Sequence, residues 1–379
     1  MYPLTEEQQL LLDTVNEFGR TRLEPTVLAR DAKAEFDEAL VQELLDLGLQ
    51  GLIFPEEYGG AGGDYLDYIL VLKDLCKYDD GIGITYSASV SLGASPIATY
   101  GTHEQKEKYL RPIAEGKTLA AFALTEPNAG TDAASQLTVA DKQPDGSYLL
   151  NGSKMFITNA GTADVYIVFA MTDKSAGVKG ISAFILEKDM AGFTFGKKEH
   201  KMGIHTSVTM ELIFKDVRVP AENLLGEEGK GFRIAMQTLD GGRIGVAAQA
   251  TGIAEAALNH SIKYTKERVQ FGKPIAKFQH TQFKLAEMAI KVEAAKCLLI
   301  NAALDKQEGR PYTVSAAMAK KFCSDTAMEV TTDAIQLFGG YGYSEEYPVA
   351  RLFRNAKVTQ IYEGTNEVQQ MVISGELLR

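Results

Sequence analysis

The chain of 379 residues has no tryptophan, three cysteines and five histidines. Cys76, Cys297 and Cys323 are odd in number and far apart, with no CxxC pair. That pattern argues against a disulfide framework or a cysteine zinc site and fits reduced thiols in a cytoplasm. His103, His200, His205, His260 and His280 lack metal-ligand spacing, so no metal is expected. Basic runs are absent as well. With a net charge of -11 and no cluster of Lys and Arg, the chain lacks the surface on which phosphate-driven nucleic-acid binding rests. No apolar run reaches the roughly 20 residues of a membrane span. The stretch Met1 to Glu7 has neither the apolar core of a secretory signal nor an Arg-rich amphipathic pattern, and a cytoplasmic protein is expected. There is also no GxGxxG and no P-loop lysine, so a nucleotide cofactor would have to be held by other means.

What is present is ordinary for a soluble globular protein: 45% hydrophobic and 23% charged residues, in a chain long enough for about two or three domains. From Leu4 to about Tyr109 the apolar residues recur at helical spacing, as in Leu40, Leu44, Leu45, Leu47 and Leu49, with Gly48 near a helix end. Phe54 to Asp64, dense in glycine, reads as a flexible connection. Near Ala120 the texture changes to short β-prone runs. Ser147 to Thr158 reads as two strands around an Asn151-Gly152 turn, Val165–Ala170 and Ile181–Leu186 are further strands, and Thr209 to Phe214 alternates. Pro220 and Gly226 close this region. After Gly231 helical periodicity returns, with Ala250, Ile253, Ala254, Ala257 and Leu258 on one face. A second helix follows Gly272-Lys273-Pro274, and a third begins near Pro311 and carries Val314, Ala317, Met318 and Phe322. Apolar residues on more than one side suit an oligomer. The expected organisation is α+β, mostly α: a helical domain over 1–120, a β domain over 121–228 and a helical bundle over 229–379.

The stretch with the most chemical promise is Gln360-Ile361-Tyr362-Glu363-Gly364-Thr365-Asn366-Glu367. It sets an acid between an aromatic and a glycine. Gly364 lets backbone and ligand come close, and a carboxylate in an apolar pocket has its pKa raised toward neutrality, as a carbon-acid base requires. Phe122-Ala123-Leu124-Thr125-Glu126-Pro127-Asn128-Ala129-Gly130-Thr131-Asp132 runs from a strand into a hydroxyl-rich turn able to receive a polar ligand edge. Met155-Phe156-Ile157-Thr158-Asn159 offers an aromatic and a hydroxyl on one side of a strand. Ile335 to Tyr343 ends a helix in Gly339, Gly340 and Gly342, more glycines than a cap needs. Arg268 and Phe271 pair a phosphate-seeking side chain with a stacking one. Each stretch alone has a bland explanation as turn, core or helix end.

Together they resemble one family across essentially the whole chain, the acyl-CoA dehydrogenases, and within it the bacterial short-chain, butyryl-CoA members. The markers are Thr125 to Asp132, Gln336 to Gly342 with Tyr347-Pro348, and Ile361 to Thr365, in the family's order and separation. The resemblance implies an N-terminal helical domain, a β-barrel-like middle domain and a C-terminal four-helix bundle. It also implies a homotetramer, a dimer of dimers, with one FAD per subunit. Positions matching Phe122, Leu124, Thr125, Gly130 and Thr131, and those matching Phe156, Ile157 and Thr158, would line the flavin and pyrophosphate. Arg268, Phe271, Gln279 and Gln336, Leu337, Phe338, Gly339 and Gly340 would reach the FAD of a neighbouring subunit. Thr365, Asn366 and Glu367 would close over the adenosine side. Thr131, Asp240, Gly242, Arg243, Tyr362 and Gly364 match positions that meet the acyl-CoA.

The implied reaction is removal of the α proton by Glu363 while a hydride leaves the β carbon, giving a trans-2-enoyl-CoA, with electrons passed to an electron-transferring flavoprotein. Anaerobic metabolism could run it in reverse. Two departures from the family pattern stand out. Phe156 occupies a position where many relatives carry Trp, and Gly242 occupies the position where some relatives place the base. Glu363 is therefore unopposed in that role. The alternatives are an oxidase on the same scaffold, whose relatives usually carry a further C-terminal region, and a non-catalytic scaffold, for which loss of the acid would be the mark.

Overall fold

The computed structural model describes residues 3–379. The first part is helical: α1 (Glu6–Phe18), α2 (Val27–Lys33), α3 (Glu38–Asp46), α4 (Tyr65–Tyr78), α5 (Asp80–Ser87), α6 (Ser95–Tyr100), α7 (His103–Gln105) and α8 (Arg111–Ala114). Polar residues start several of these helices. The Thr5 hydroxyl accepts from the Gln8 N–H in a capping box, and Asp37 accepts from the Leu40 N–H. Between α5 and α6 the segment Ala88–Ala94 continues as wider π-helical turns and is wholly buried.

The glycine-rich stretch after α3 differs from the flexible connection expected of it. The N–H groups of Gly60, Ala61, Gly62 and Gly63 donate to the carbonyls of Pro55, Gly51, Phe54 and Leu52, so the stretch folds back on itself. Its glycines serve close backbone packing, since a β-carbon at Gly60 would overlap the Phe54 carbonyl.

Strands β1 (Ala120–Ala123), β2 (Val139–Lys142), β3 (Tyr148–Thr158), β4 (Val165–Met171), β5 (Ile181–Glu187), β6 (Phe193–Lys198), β7 (Thr209–Val219) and β8 (Leu224–Leu225) form one sheet in the order β6-β7-β3-β2-β4-β5-β8, with β1 parallel to β4. The sequence reading of an Asn151-Gly152 hairpin turn is overturned, because β3 runs unbroken through both residues. Gly152 instead sits at a register shift against β7, with φ +142°. A β-carbon there would come 2.6 Å from Thr138 Oγ1, so the glycine serves a bulge and a close crossing. The expected strands near 165, 181 and 209 are present as β4, β5 and β7.

The last part is built on α9 (Gly231–Glu267), which is buried on nearly every side from Gly241 to Ala257. Around it pack α4, α10 (Gln279–Gln307), α11 (Thr313–Phe338) and α12 (Pro348–Thr359), while α13 (Asn366–Leu377) lies on α11. Within the buried stretch of α9 four glycines make room for neighbours: Gly241 under the Lys306 ammonium, Gly242 under Glu363, Gly245 under Ser87 and Gly252 under the Lys73 carbonyl. On α11 only part of the apolar set read from the sequence lies inside, since Ala317 is buried. Met318 and Phe322 are exposed, and the buried stripe is Ala316, Lys320, Cys323 and Ala327.

Buried ion pairs lock α12 to the rest of the molecule. Arg351 meets Asp80 at 2.8 Å and Arg354 meets Asp31 at 2.5 Å, while a separate pair, Arg30 with Asp79 at 2.6 Å, ties α2 to the start of α5. Asn355 donates to Asp80 at 2.9 Å and accepts from the Ile204 N–H at 2.7 Å. The helix that leads into the Glu363 turn is thus fixed both to the N-terminal helices and to the loop between β6 and β7. Among the described residues no helix is long and apolar enough to cross a membrane.

Candidate active site

Between α12 and α13 the chain makes a tight turn. The Asn366 N–H donates to the Gln360 carbonyl at 3.0 Å, and the Thr365 hydroxyl caps α13 by accepting from the Val368 N–H at 3.4 Å. Inside this turn Glu363 and Gly364 both have positive φ, +53° and +90°. For a glutamate that backbone is strained by about 1 kcal/mol or more, a cost typical of positions held for function. The turn wraps around the Gln369 amide, which donates to the Gly364 carbonyl at 2.9 Å and to the Glu363 carbonyl at 3.3 Å. A β-carbon at Gly364 would lie 2.8 Å from that amide nitrogen, so glycine is needed here for space as well as for φ. The Glu363 N–H donates to no acceptor among the described residues.

The strained turn aims the Glu363 carboxylate at α9. Its Oε2 is buried and accepts no hydrogen bond. Room for it exists because Gly242 has no β-carbon, and Leu92 closes the same space, 2.8 Å from where that carbon would be. Burial pushes the Glu363 pKa up to about 7, opposed by the positive charges of Lys320 and Arg243. The adjacent Tyr362 hydroxyl is taken up by the Gln249 side chain. On α9 the Arg243 guanidinium pairs with Asp240 at 2.5 Å, and Asp240 also accepts from the Thr313 hydroxyl at 2.7 Å. Thus Glu363 lies against Gly242, and the pair of Arg243 with Asp240 lies on the same helix. Asn366 differs from its expected place over a cofactor. Its amide is turned into the bundle, accepting from Lys320 Nζ at 2.9 Å and donating to Asp325 at 2.8 Å.

A second group of residues gathers where β1 and β3 end. The Met155 N–H donates to the Thr125 carbonyl at 2.8 Å, and the Asn159 amide donates to the carbonyls of Thr85 and Ala120 at 2.9 and 3.1 Å. These bonds bring Thr125 to Thr131 beside Phe156 to Thr158. Phe156 has φ +60° and is 59% exposed, so a large ring is held out from the sheet. Thr131 is exposed, and a β-carbon on Gly130 would meet open space. The side chains of Leu124 and Ile157 are buried in the core. Phe122 is half-buried and packs against Phe169.

Beneath this loop lies a cation that sequence reasoning missed. Lys154 is fully buried and donates to the Leu124 carbonyl at 3.0 Å, to Glu126 at 2.8 Å and to Gln136 at 3.0 Å. Glu126 in turn accepts from the N–H groups of Leu137 and Thr138 at 2.5 and 3.0 Å. Burial lowers the Lys154 pKa to about 8 against the pull of Glu126.

The third group lies at the far end of the bundle. A two-stranded hairpin of β9 (Val269–Gln270) and β10 (Lys273–Pro274) turns through Phe271 and Gly272, both with positive φ. Phe271 is 94% exposed. Beside it a concavity of about 520 Å³ is lined by Arg268, Gln270, Leu337, Gly339, Gly340 and Tyr341. Gly339 and Gly340 border open space there, whereas Phe338 is buried and stacks on Tyr264 at 3.9 Å. Gln279 and Gln336 are exposed.

These features are set on a chain that matches three family models over most of its length: the acyl-CoA dehydrogenase N-terminal domain over 5–117, the middle domain over 121–217 and the C-terminal domain over 229–378. The chain belongs to the acyl-CoA dehydrogenase family. A curated relative from Megasphaera elsdenii, a short-chain-specific acyl-CoA dehydrogenase, is 64% identical over 381 residues and both chains are covered in full. The solved butyryl-CoA dehydrogenase of Megasphaera elsdenii matches the fold with a TM-score of 0.99 at 64% identity, again over all of both chains. A chain from work on the electron transferring flavoprotein of Acidaminococcus fermentans and flavin-based electron bifurcation matches with a TM-score of 0.99 at 61% identity, over all of both chains.

The residues present fit the family's FAD. An exposed aromatic projects from the end of β3, a hydroxyl-rich loop stands beside it, and an arginine borders a cavity that glycines leave open. Lys320, Gln369, Gln249 and Leu92 are further site residues absent from the sequence reading. Lys320 carries a signal that could have exposed it, a charge on the stripe formed by Ala316, Cys323 and Ala327.

Proposed function

We propose that this acyl-CoA dehydrogenase interconverts butyryl-CoA, or a comparably short saturated acyl-CoA, and its trans-2-enoyl-CoA, with Glu363 as the base. The observation that carries this reading is the buried Oε2 of Glu363, without a hydrogen-bond partner, in the space left by Gly242. A carboxylate with its pKa near 7 is half ionised at neutral pH and strong enough to share a proton with an activated α carbon. The Glu363 N–H, free of other acceptors among the described residues, is placed to donate to the thioester oxygen as negative charge develops there. One such donor is commonly worth about 3 kcal/mol at the transition state. Bound FAD supplies the acceptor for the hydride that leaves the β carbon. In the opposite direction Glu363 returns the proton, so the same residues serve enoyl-CoA reduction.

The 64% identity to a short-chain-specific relative supports the short acyl chain, and the flavoprotein-associated neighbour supports an electron-transferring flavoprotein as redox partner. Phe122, Leu124, Thr125, Gly130, Thr131, Phe156, Ile157 and Thr158 would hold the flavin end. Arg268, Phe271, Gln279 and the 336–340 turn would serve a neighbouring subunit's FAD in a cytoplasmic homotetramer. Thr365 and Glu367 would close over the adenosine, and Asp240, Gly242, Arg243, Tyr362 and Gly364 would meet the acyl-CoA. Boundaries after residues 120 and 228 separate the three domains in this reading. The test is anaerobic titration of the FAD-loaded protein with butyryl-CoA, following the visible flavin band. Bleaching in the wild type and none in a Glu363→Gln variant that retains its FAD is expected. FAD-loaded wild type that does not bleach would remove the short saturated substrate.

A further inference from the structure

Lys320 is fully buried on α11, on the stripe that packs into the bundle. Its ammonium forms no ion pair within 4.0 Å among the described residues, and the one acceptor it reaches is neutral, Asn366 Oδ1 at 2.9 Å. A lysine that only filled space here would be better replaced by methionine, because burying a charge with a single neutral partner is costly. The charge therefore needs a reason.

The surrounding bonds supply one. Asn366 stands three residues after Glu363 and Gln360 three residues before it. Asp325, also on α11, accepts from both, from Gln360 Nε2 at 2.6 Å and from Asn366 Nδ2 at 2.8 Å. Ser324 joins the same cluster, accepting from Asn366 Nδ2 at 2.9 Å. One helix thus grips both flanks of the strained turn and sets a buried cation behind it. The electrostatics are reciprocal, since Lys320 is the foremost charge acting on Glu363, and Glu363 is the foremost charge acting on Lys320. The other ionisable groups around Glu363 are Arg243 on α9, Tyr65 and Tyr68 on α4, and Tyr362 in the turn itself. Arg243 is already paired with Asp240. Lys320 is the cation left for the base.

We propose that Lys320 is a positioning residue for the reaction, a buried cation on α11 that reaches the turn through Asn366 and sets its charge behind the Glu363 carboxylate. This rests on Glu363 being the base. Without the cation, burial is opposed by Arg243 alone, and the base holds its proton to higher pH.

The test uses FAD-loaded wild type and the K320M, K320Q and K320R variants, mixed anaerobically with butyryl-CoA from pH 5.5 to 9. The rate of flavin bleaching is fitted for its midpoint pH and its limiting value at high pH. The midpoint should rise by about one unit or more in K320M and K320Q, as loss of a close opposite charge does. The limiting rate should stay within about threefold of wild type, since high pH restores the ionised base. K320R should return the midpoint to within about 0.3 units. An unchanged midpoint in K320M, or a lower limiting rate with no shift, would make Lys320 a structural residue only and overturn the proposal. Should K320M not fold, K320Q carries the same test, because glutamine keeps a donor to Asn366 without the charge. The E363Q control separates the two readings. Bleaching that survives in E363Q removes the base itself, whereas a silent E363Q beside an unshifted K320M removes only the role of Lys320.

Discussion

The Glu363 carboxylate occupies the space where a side chain at Gly242 would begin, so the two positions compete for one volume. A methyl group at 242 would push the carboxylate away and also press on Leu92. We expect G242A to bind FAD normally and to bleach with butyryl-CoA about 100-fold more slowly, since a shift of about 1 Å in a reacting group costs that much. Rapid-mixing kinetics would decide it. A rate within threefold of wild type would mean the base has room to spare.

The same shared volume makes a relocation testable. In E363G/G242E a carboxylate would rise from α9 into the space that Glu363 vacates. Bleaching should recover to at least tenfold above E363G alone, read in the same assay. A double variant as silent as E363G would show that the turn, not only the acid, is required.

The elevated pKa of Glu363 has a consequence for stability. Folding lifts it from the ordinary carboxylate value of 4.5 to about 7, so the folded state holds the proton more tightly than the unfolded state. The resulting stabilisation is complete below about pH 4.5 and is lost as pH rises through about 7, on the order of 3 kcal/mol in all. Gln cannot ionise. The Tm of E363Q should therefore gain on that of wild type between pH 5 and pH 8, measured by differential scanning calorimetry on FAD-loaded protein. A constant difference would contradict the burial of the charge.

Lys154 stands under the hydroxyl-rich loop with three acceptors around it. Replacing it with methionine strands the buried Glu126 carboxylate, and breaking one partner of a buried pair typically costs about 3–5 kcal/mol. K154M should lose stability on that scale in urea and release FAD more readily on dilution. E126Q/K154M should recover part of the stability. No recovery would mean that the loop depends on the ammonium for more than charge balance.

Phe271 touches solvent over almost its whole surface, so its removal should leave the fold of a subunit intact. If a neighbouring subunit's FAD rests on it, F271A should keep its circular dichroism spectrum yet retain less FAD through gel filtration. Full FAD retention would remove Phe271 from the cofactor site.

Much of this site was legible because it is written in contiguous residues. The Glu363 turn, the Thr125–Thr131 loop and the Gln336–Gly340 turn each present their chemistry within a few positions, and a contiguous motif survives without knowledge of the fold. The long helices were legible for a similar reason, since their apolar period persists over many turns. What failed depends on neighbours distant in sequence. Asn151-Gly152 has the composition of a hairpin turn, but pairing with β7 makes it a bulge and Thr138, just before β2, crosses close to the glycine. On α11 both Met318 and Ala316 are apolar, and only the packing of α9, α10 and α12 decides which one is inside. Gly60, Gly62 and Gly63 look loose until their partners at Pro55, Phe54 and Leu52 are seen. Lys320 was hidden by the expectation that charge lies outward, although its place among alanines was open to view.

Helix α9 carries Gly241, Gly242, Gly245 and Gly252 in its buried stretch, and each glycine weakens an isolated helix by about 1 kcal/mol relative to alanine. Read as a mould, this helix shapes the interior by what it leaves out. The four missing methyl groups face a lysine ammonium, the Glu363 carboxylate, a serine hydroxyl and a backbone carbonyl, in different parts of the interior. Adding one back would recast one of those volumes while the other three kept their form. Four adjustments of the interior are therefore available on a single rod, each by one nucleotide-sized step in sequence and none requiring a new loop.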